Sequence, residues 1–214
     1  MMKIKRFSNL RLANLQMMHA IKSKNRNNFR VQFREALKYL KESKNYLIAI
    51  VLIFVGGMLL GFIFSSQLGF LDEILKQLIE KVKDLNTFEI ILFILQNNIT
   101  STFCGIIFGV VLGIFPILAS FSNGVLLGYV MKIVWFDSGV GEFWKILPHG
   151  VFELPAVFIS LALGVKLGMF IFSREKGKVF MERARNSVIL FVCIVIPLLI
   201  IAAIIEGLLI SAYK

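Results

Sequence analysis

Apolar positions along this chain come in long blocks rather than in alternation. No charged residue interrupts Asn45–Leu71 or Ile90–Met131. A run of about 18 or more apolar, uncharged residues is long enough to cross a bilayer. The first block therefore predicts a span over about 46–65. At about 1.5 Å rise per residue, the second block is roughly twice as long as a hydrocarbon core is thick. It is predicted to fold back as two spans, about 91–115 and 118–136. Pro116 and Asn123-Gly124 are both breaker signals, and the pattern leaves the position of the turn open between them. Further apolar blocks predict spans over about 149–172 and 187–210, separated by a basic segment, 173–186.

Two stretches outside these blocks carry helical periodicity. Phe29, Phe33, Leu37 and Leu40 recur at turn spacing, with Arg30, Arg34, Lys38 and Lys41 between them. This predicts an amphipathic helix at the membrane surface, leading into the first span. Leu71, Ile74, Leu75, Leu78, Ile79 and Val82 define a second amphipathic helix. Its apolar face is expected to pack on the bundle, or else on a partner. The predicted fold class is all-α: a polytopic membrane bundle of about five transmembrane helices with amphipathic interfacial helices. Residues 1–45 form a basic N-terminal segment, and 46–212 the transmembrane domain.

Glycines refine the packing. Gly57/Gly61, Gly105/Gly109/Gly113, Gly124/Gly128 and Gly164/Gly168 are spaced by four, and Ala203/Gly207 continues the pattern. Four residues is about one turn, so each set makes a smooth groove that another helix backbone can approach closely. The same device in every span predicts a compact bundle or a tight oligomer.

Composition agrees with the pattern. Hydrophobic residues make up 57% of the 214 and charged residues 17%, against about 25% charged in soluble domains. A soluble enzyme, a soluble nucleic-acid-binding domain and a disordered chain are excluded. The net charge of +11 is concentrated: residues 1–45 hold twelve Lys/Arg and only two acids, Glu35 and Glu42. A basic block directly before a span is what a cytoplasmic flank requires. It also suits anionic lipid headgroups, so the membrane surface, not nucleic acid, is the expected partner of this segment. Arg174, Lys176, Lys178, Arg183 and Arg185 mark 173–186 as a second flank on the same side. The expected location is the plasma membrane, multi-pass, with a cytoplasmic N-terminus. Some 45 residues ahead of the first span do not fit the short charged region of a signal peptide. Cys104 and Cys193 lie in apolar runs without a CxxC neighbour and read as packing residues.

Polar groups inside spans are costly and become functional candidates by default. They are Asn97, Asn98, Asn123, His149, Glu153, Lys166 and Glu206. Lys166 lies near a helix end where it can snorkel, and is set aside. Asn97 and Asn98, His149 and Glu153, and Glu206 are expected at a similar outer level on three helices. His149 and Glu153 are four apart and share a helix face. Pro148 and Pro155 flank them, with Gly150 between. Three readings compete: a buried hydrogen-bond network that locks the helices, a proton or ion relay, and a metal site activating water. The metal reading has no second histidine in a useful place, since the other, His19, is in the basic segment. No motif for a cofactor or a catalytic set is present, so a non-enzymatic role is expected. Asn123, Gly124 and Gly128 read as a turn or packing motif.

At these residues a family resemblance emerges. Asn97-Asn98, Gly105 to Gly113, and Asn123-Gly124-Val125-Leu126-Leu127-Gly128 resemble the stage II sporulation protein M family. So do Leu147-Pro148-His149-Gly150-Val151-Phe152-Glu153-Leu154-Pro155-Ala156, its most specific motif, and Ile201-Ala202-Ala203-Ile204-Ile205-Glu206-Gly207. The resemblance covers about residues 45–210 in order. It implies an integral membrane protein. In endospore formers the family's named member works with peptidoglycan-cleaving partners as the membrane scaffold. By that resemblance this chain is expected to organise a cell-envelope complex, as a homo-oligomer or with membrane-protein partners. The runner-up is a proton- or ion-coupled transporter or channel that uses the His/Glu cluster.

Overall fold

A computed structural model describes residues 30–137 and 147–212; the side chains of 137 and 147–149 lie outside the description. The described residues are helical, with no strands. The helices are α1 (30–42), α2 (Lys44–Ile63), α3 (Phe70–Lys83), α4 (Thr87–Ile107), α5 (Ile114–Asp137), α6 (Leu147–Gly168), α7 (Lys176–Leu190) and α8 (Ile196–Ala212). Five stretches are long and apolar enough to cross a membrane: Lys44–Ile63, Thr87–Val110, Ile114–Phe136, Gly150–Phe172 and Lys176–Ala212. The all-α multi-pass architecture follows from these.

α6 is the hub. It packs against α2, α4, α5 and α8, while α2 pairs with α5, and α4 with α8. It is also the most buried of the five spans. Small residues on several of its sides explain this position. Ala156, Ser160, Ala162, Gly164 and Gly168 are all buried, so neighbours come close from more than one direction.

Two glycine seams run through the bundle, one between α2 and α5 and one between α4 and α6. On the α2–α5 seam, a Cβ at Gly57 or Gly61 would collide with the backbone carbonyls of Phe121 and Val125. From the other side, Gly124 and Gly128 lie against the backbone carbonyls of Phe54 and Met58. On the α4–α6 seam, Gly109 meets Gly164, Gly164 meets the Gly105 carbonyl, and Gly168 meets the Gly109 carbonyl. Gly207 of α8 meets Ile91 of α4. These contacts lie within one chain. Ser120 Oγ adds a donor to the Ile50 carbonyl at 2.9 Å across the α2–α5 seam.

Three sequence expectations change. The turn between the second and third spans is at neither breaker. A 3₁₀ segment, Phe108–Val110, ends α4, and the chain reverses through Leu112 (φ 57°) and Gly113 (φ 70°). Gly113 tolerates that left-handed conformation, while Leu112 is strained in it. Pro116 falls in the first turn of α5, where its missing N–H costs little. Asn123 and Gly124 sit inside α5, Gly124 in the seam and Asn123 exposed.

The basic segment 173–186 is largely helix. α7 continues through a π-helical segment, Phe191–Val195, into α8. That widened turn stands just before Pro197, which lacks an N–H and would crowd a regular helix. The continuous rod Lys176–Ala212 is roughly 55 Å long at 1.5 Å per residue. It exceeds a core of about 30 Å, so its charged first turns project beyond the apolar layer.

α3 buries its apolar face only in part. Leu71 is buried, but Ile74, Leu78 and Ile79 are exposed. Val82 packs against the buried cluster of Ile90, Ile94 and Ala203, and Tyr129 Oη adds a polar link, donating to Asp72 Oδ1 at 2.7 Å.

Candidate functional site

Of the polar residues singled out from the sequence, the structure brings part together. Glu153 on α6 and Glu206 on α8 are half-buried, on two packed helices, and close enough to interact electrostatically. Among the described residues no hydrogen bond or ion pair reaches either carboxylate. Asn98 is half-buried on the side of α4 that carries Ile94 and Thr102, and its carbonyl accepts the Thr102 hydroxyl at 2.6 Å. Asn97 is different: it is exposed, and its amide only reaches Asn98 Oδ1 at 3.5 Å. It points about 100° around the helix from Asn98. His149 and Pro148 lie in the first turn of α6, and the placement of their side chains is outside the described residues.

The remaining motif positions have local roles. Gly150 is half-buried, with space around it: an added Cβ would meet only Leu154 Cδ1 at 3.7 Å. Pro155 is inside α6 and exposed. Asn86 and Glu89 form a capping box that starts α4. Thr87 Oγ1 and Ser211 Oγ share a 2.6 Å hydrogen bond, tying the start of α4 to the end of α8.

Chemically, two carboxylates without a fixed donor can accept hydrogen bonds from a partner or exchange a proton. Among the described residues no group of three His, Cys, Asp or Glu side chains is arranged to hold a metal ion. The His149 side chain lies outside the described residues.

Sequence reasoning set Lys166 aside, and the structure gives it a defined place. Lys166 is 7% exposed. Its Nζ donates to the Tyr39 carbonyl at 3.1 Å and lies 3.7 Å from the centre of the Tyr39 ring. Glu42 Oε2 is 3.9 Å away. The Lys166 carbonyl in turn accepts Arg183 Nη1 at 2.6 Å. One residue of α6 thus links the end of α1 to α7. A cation at a helix C-terminus is favourable because the last carbonyls lack partners. Ser43 Oγ caps the same carbonyl at 2.6 Å, where α1 passes into α2. Arg185 and Glu35 close the α1–α7 contact at 2.8 Å, with both side chains half exposed. Such a pair adds little on its own. Burial pushes the Tyr39 hydroxyl up to about 12, only partly offset by the nearby Ser187 hydroxyl and Arg183 charge. Residue spacing carries no signal for this knot, since Tyr39 and Lys166 are far apart in the chain.

Lys132 on α5 was also not singled out. It is seated over the rings of Phe62 and Phe136, 4.8 and 4.3 Å from their centres. The charge is thereby accommodated between aromatic faces at the ends of α2 and α5.

Comparison with known proteins joins this geometry to a family. A family model described as stage II sporulation protein M matches residues 50–209. An uncharacterised protein of Methanocaldococcus jannaschii is 28% identical over 190 residues, covering 81% of this chain and 85% of the relative. No solved structure matches the chain. The matched segment runs from α2 to α8 and takes in both seams and both carboxylates, and the chain belongs to the stage II sporulation protein M family.

Proposed function

We propose that this protein is a non-enzymatic membrane scaffold that organises a cell-envelope complex, with its N-terminus in the cytoplasm. The observation that carries this reading is the contrast between a locked interior and unpartnered outer faces. The seams between α2 and α5 and between α4 and α6 press backbone on backbone, an arrangement suited to rigidity rather than to movement. Meanwhile Ile74, Leu78 and Ile79 of α3 are exposed on a helix anchored only near its ends, by Leu71 and the Tyr129–Asp72 bond at one and by Val82 at the other. A rigid core with an amphipathic helix presented at its edge suits docking. The orientation rests on charge: the basic residues of α1 and of the start of α7 lie at one end of the bundle, and cytoplasmic flanks carry such an excess.

The test is co-purification. Full-length tagged protein is extracted from source membranes in mild detergent and compared with the double variant Ile74→Ser, Leu78→Ser. Envelope proteins retained by the wild type and lost from the variant, at unchanged helicity, are the expected result. A wild-type protein that retains none contradicts the proposal.

A further inference from the structure

The hairpin of α4 and α5 carries a row of polar side chains that the chain itself leaves uncovered. Gln96, Asn97, Thr100 and Ser101 on α4 are exposed, as are Ser122 and Asn123 on α5. All six lie within stretches apolar enough to span a membrane. Hydrocarbon offers such groups no partner, so amides and hydroxyls in spans ordinarily turn inward or meet another helix.

Three of the six share one flank of the hairpin. Phe108, at the end of α4, and Phe115, at the start of α5, touch across the turn with ring centres 5.3 Å apart. That contact fixes which flank of each helix faces the other. Seven and eleven residues are close to two and three helical turns. Ser101 and Asn97 therefore lie on the Phe108 flank of α4, and Ser122 on the Phe115 flank of α5. Cys104, half-buried, is on the same flank of α4, one turn from Phe108. Counted away from the turn, Ser101 and Ser122 are at similar depths.

The face is polar but carries no charge. Each amide offers both a donor and an acceptor, and each hydroxyl does too. Such a surface is its own complement: turned about a two-fold axis, it satisfies itself, as an isologous interface requires. We infer that the α4–α5 face is where a second copy of this chain docks within the membrane, with Asn97 and Ser101 hydrogen-bonding across the interface. This deepens the scaffold proposal and rests on it, in that it names one partner of the platform. Its test reads self-association only, whereas co-purification reads foreign partners, so the two can fail separately.

The full chain is expressed with Cys104→Ser and Cys193→Ser, and with Ser101→Cys as a reporter. Brief oxidation of native membranes is expected to give a covalent species of twice the monomer mass. Leu52→Cys in the same background, on an exposed part of α2, is expected to stay monomeric. In proteoliposomes, Asn97→Leu is expected to weaken association, read by energy transfer between labelled copies, by about tenfold or more, the loss for a symmetric pair of intramembrane amide bonds. Asn97→Gln, which keeps donor and acceptor, is expected to retain association within about threefold on the same scale. Crosslinking through Ser101→Cys no greater than through Leu52→Cys overturns the inference. So does an adduct with a different protein, or Asn97→Leu associating as tightly as the wild type.

Discussion

Gly128→Ala should lower the thermal unfolding midpoint of the detergent-solubilised protein by several degrees, while Gly56→Ala should leave it unchanged or raise it. The two glycines differ only in what surrounds them. A Cβ on Gly128 would collide with the Met58 carbonyl and sit 2.9 Å from the Phe62 backbone nitrogen, whereas nothing lies within 4 Å of one on Gly56. The neighbours of Gly128 are backbone atoms of another helix, which cannot rotate aside. Accommodating one methyl therefore means separating α2 from α5 along the seam. Overpacking of this kind costs about 1–3 kcal/mol, and each kcal/mol moves a midpoint by about 2–4 °C in a chain of this size. At Gly56 the same methyl only gains helix propensity, about 1 kcal/mol. Gly61→Ala should act like Gly128→Ala. The pair should fall short of additive, because a seam already opened by one methyl accepts the second at less cost. Equal midpoints for Gly56→Ala and Gly128→Ala would mean that the seam is not closed.

Lys166→Met should release α1 from the bundle without unfolding the spans. The substitution keeps most of the aliphatic stem and removes the charge. It takes away the bond to the Tyr39 carbonyl, the contact with the Tyr39 ring and the attraction to Glu42. A hydrogen bond from a charged donor contributes about 1.5–3 kcal/mol, and a cation over a desolvated ring about 2 kcal/mol. Amide exchange over residues 30–42 should rise, with that of α5 and α6 unchanged. Lys38→Met, at a side chain 80% exposed, is the control and should change nothing. Alkaline pH should loosen the same contact. The buried Tyr39 hydroxyl ionises near 12 instead of 10, so folding favours its protonated form. The associated stability is complete below pH 10 and is lost as the pH climbs from 10 towards 12, on the order of 2–3 kcal/mol in all. Tyr39→Phe should abolish that component of the alkaline response. Unchanged exchange over 30–42 in Lys166→Met would remove this account of how α1 is held.

The number of spans and their approximate positions were legible because long uncharged blocks have one physical solution in lipid. Glycine spacing pointed to close helix approach, but not to which glycines would meet. Setting Gly57 and Gly61 against Phe121 and Val125, and Gly124 and Gly128 against Phe54 and Met58, depends on the path of the whole chain. The turn at Leu112-Gly113 was hidden because Gly113 also continues the spacing of Gly105 and Gly109. Pro116 and Asn123-Gly124 carried louder local signals for the same event. The continuity of α7 and α8 was masked by charge: a basic stretch looks like a loop when only hydropathy is followed, although helices run past the membrane surface freely. At the candidate site, Glu153 and Glu206 lie half-buried on two packed helices. Asn97 did not join them, because depth fixes a level and not a direction around the helix. Lys166 was set aside for the converse reason. Its level permitted snorkelling, while its direction carried it to the carbonyl of Tyr39.

A platform and a conduit share helices and even intramembrane carboxylates, and differ in whether anything crosses. The direct measurement is flux. The purified full-length protein is reconstituted into sealed vesicles enclosing a pH-sensitive dye, and an imposed proton or alkali-cation gradient is followed for the wild type and for Glu206→Gln. The scaffold account predicts that both decay at the rate of protein-free vesicles. Faster decay in the wild type, returned to the protein-free rate by Glu206→Gln, would contradict it and assign the carboxylate pair to transport.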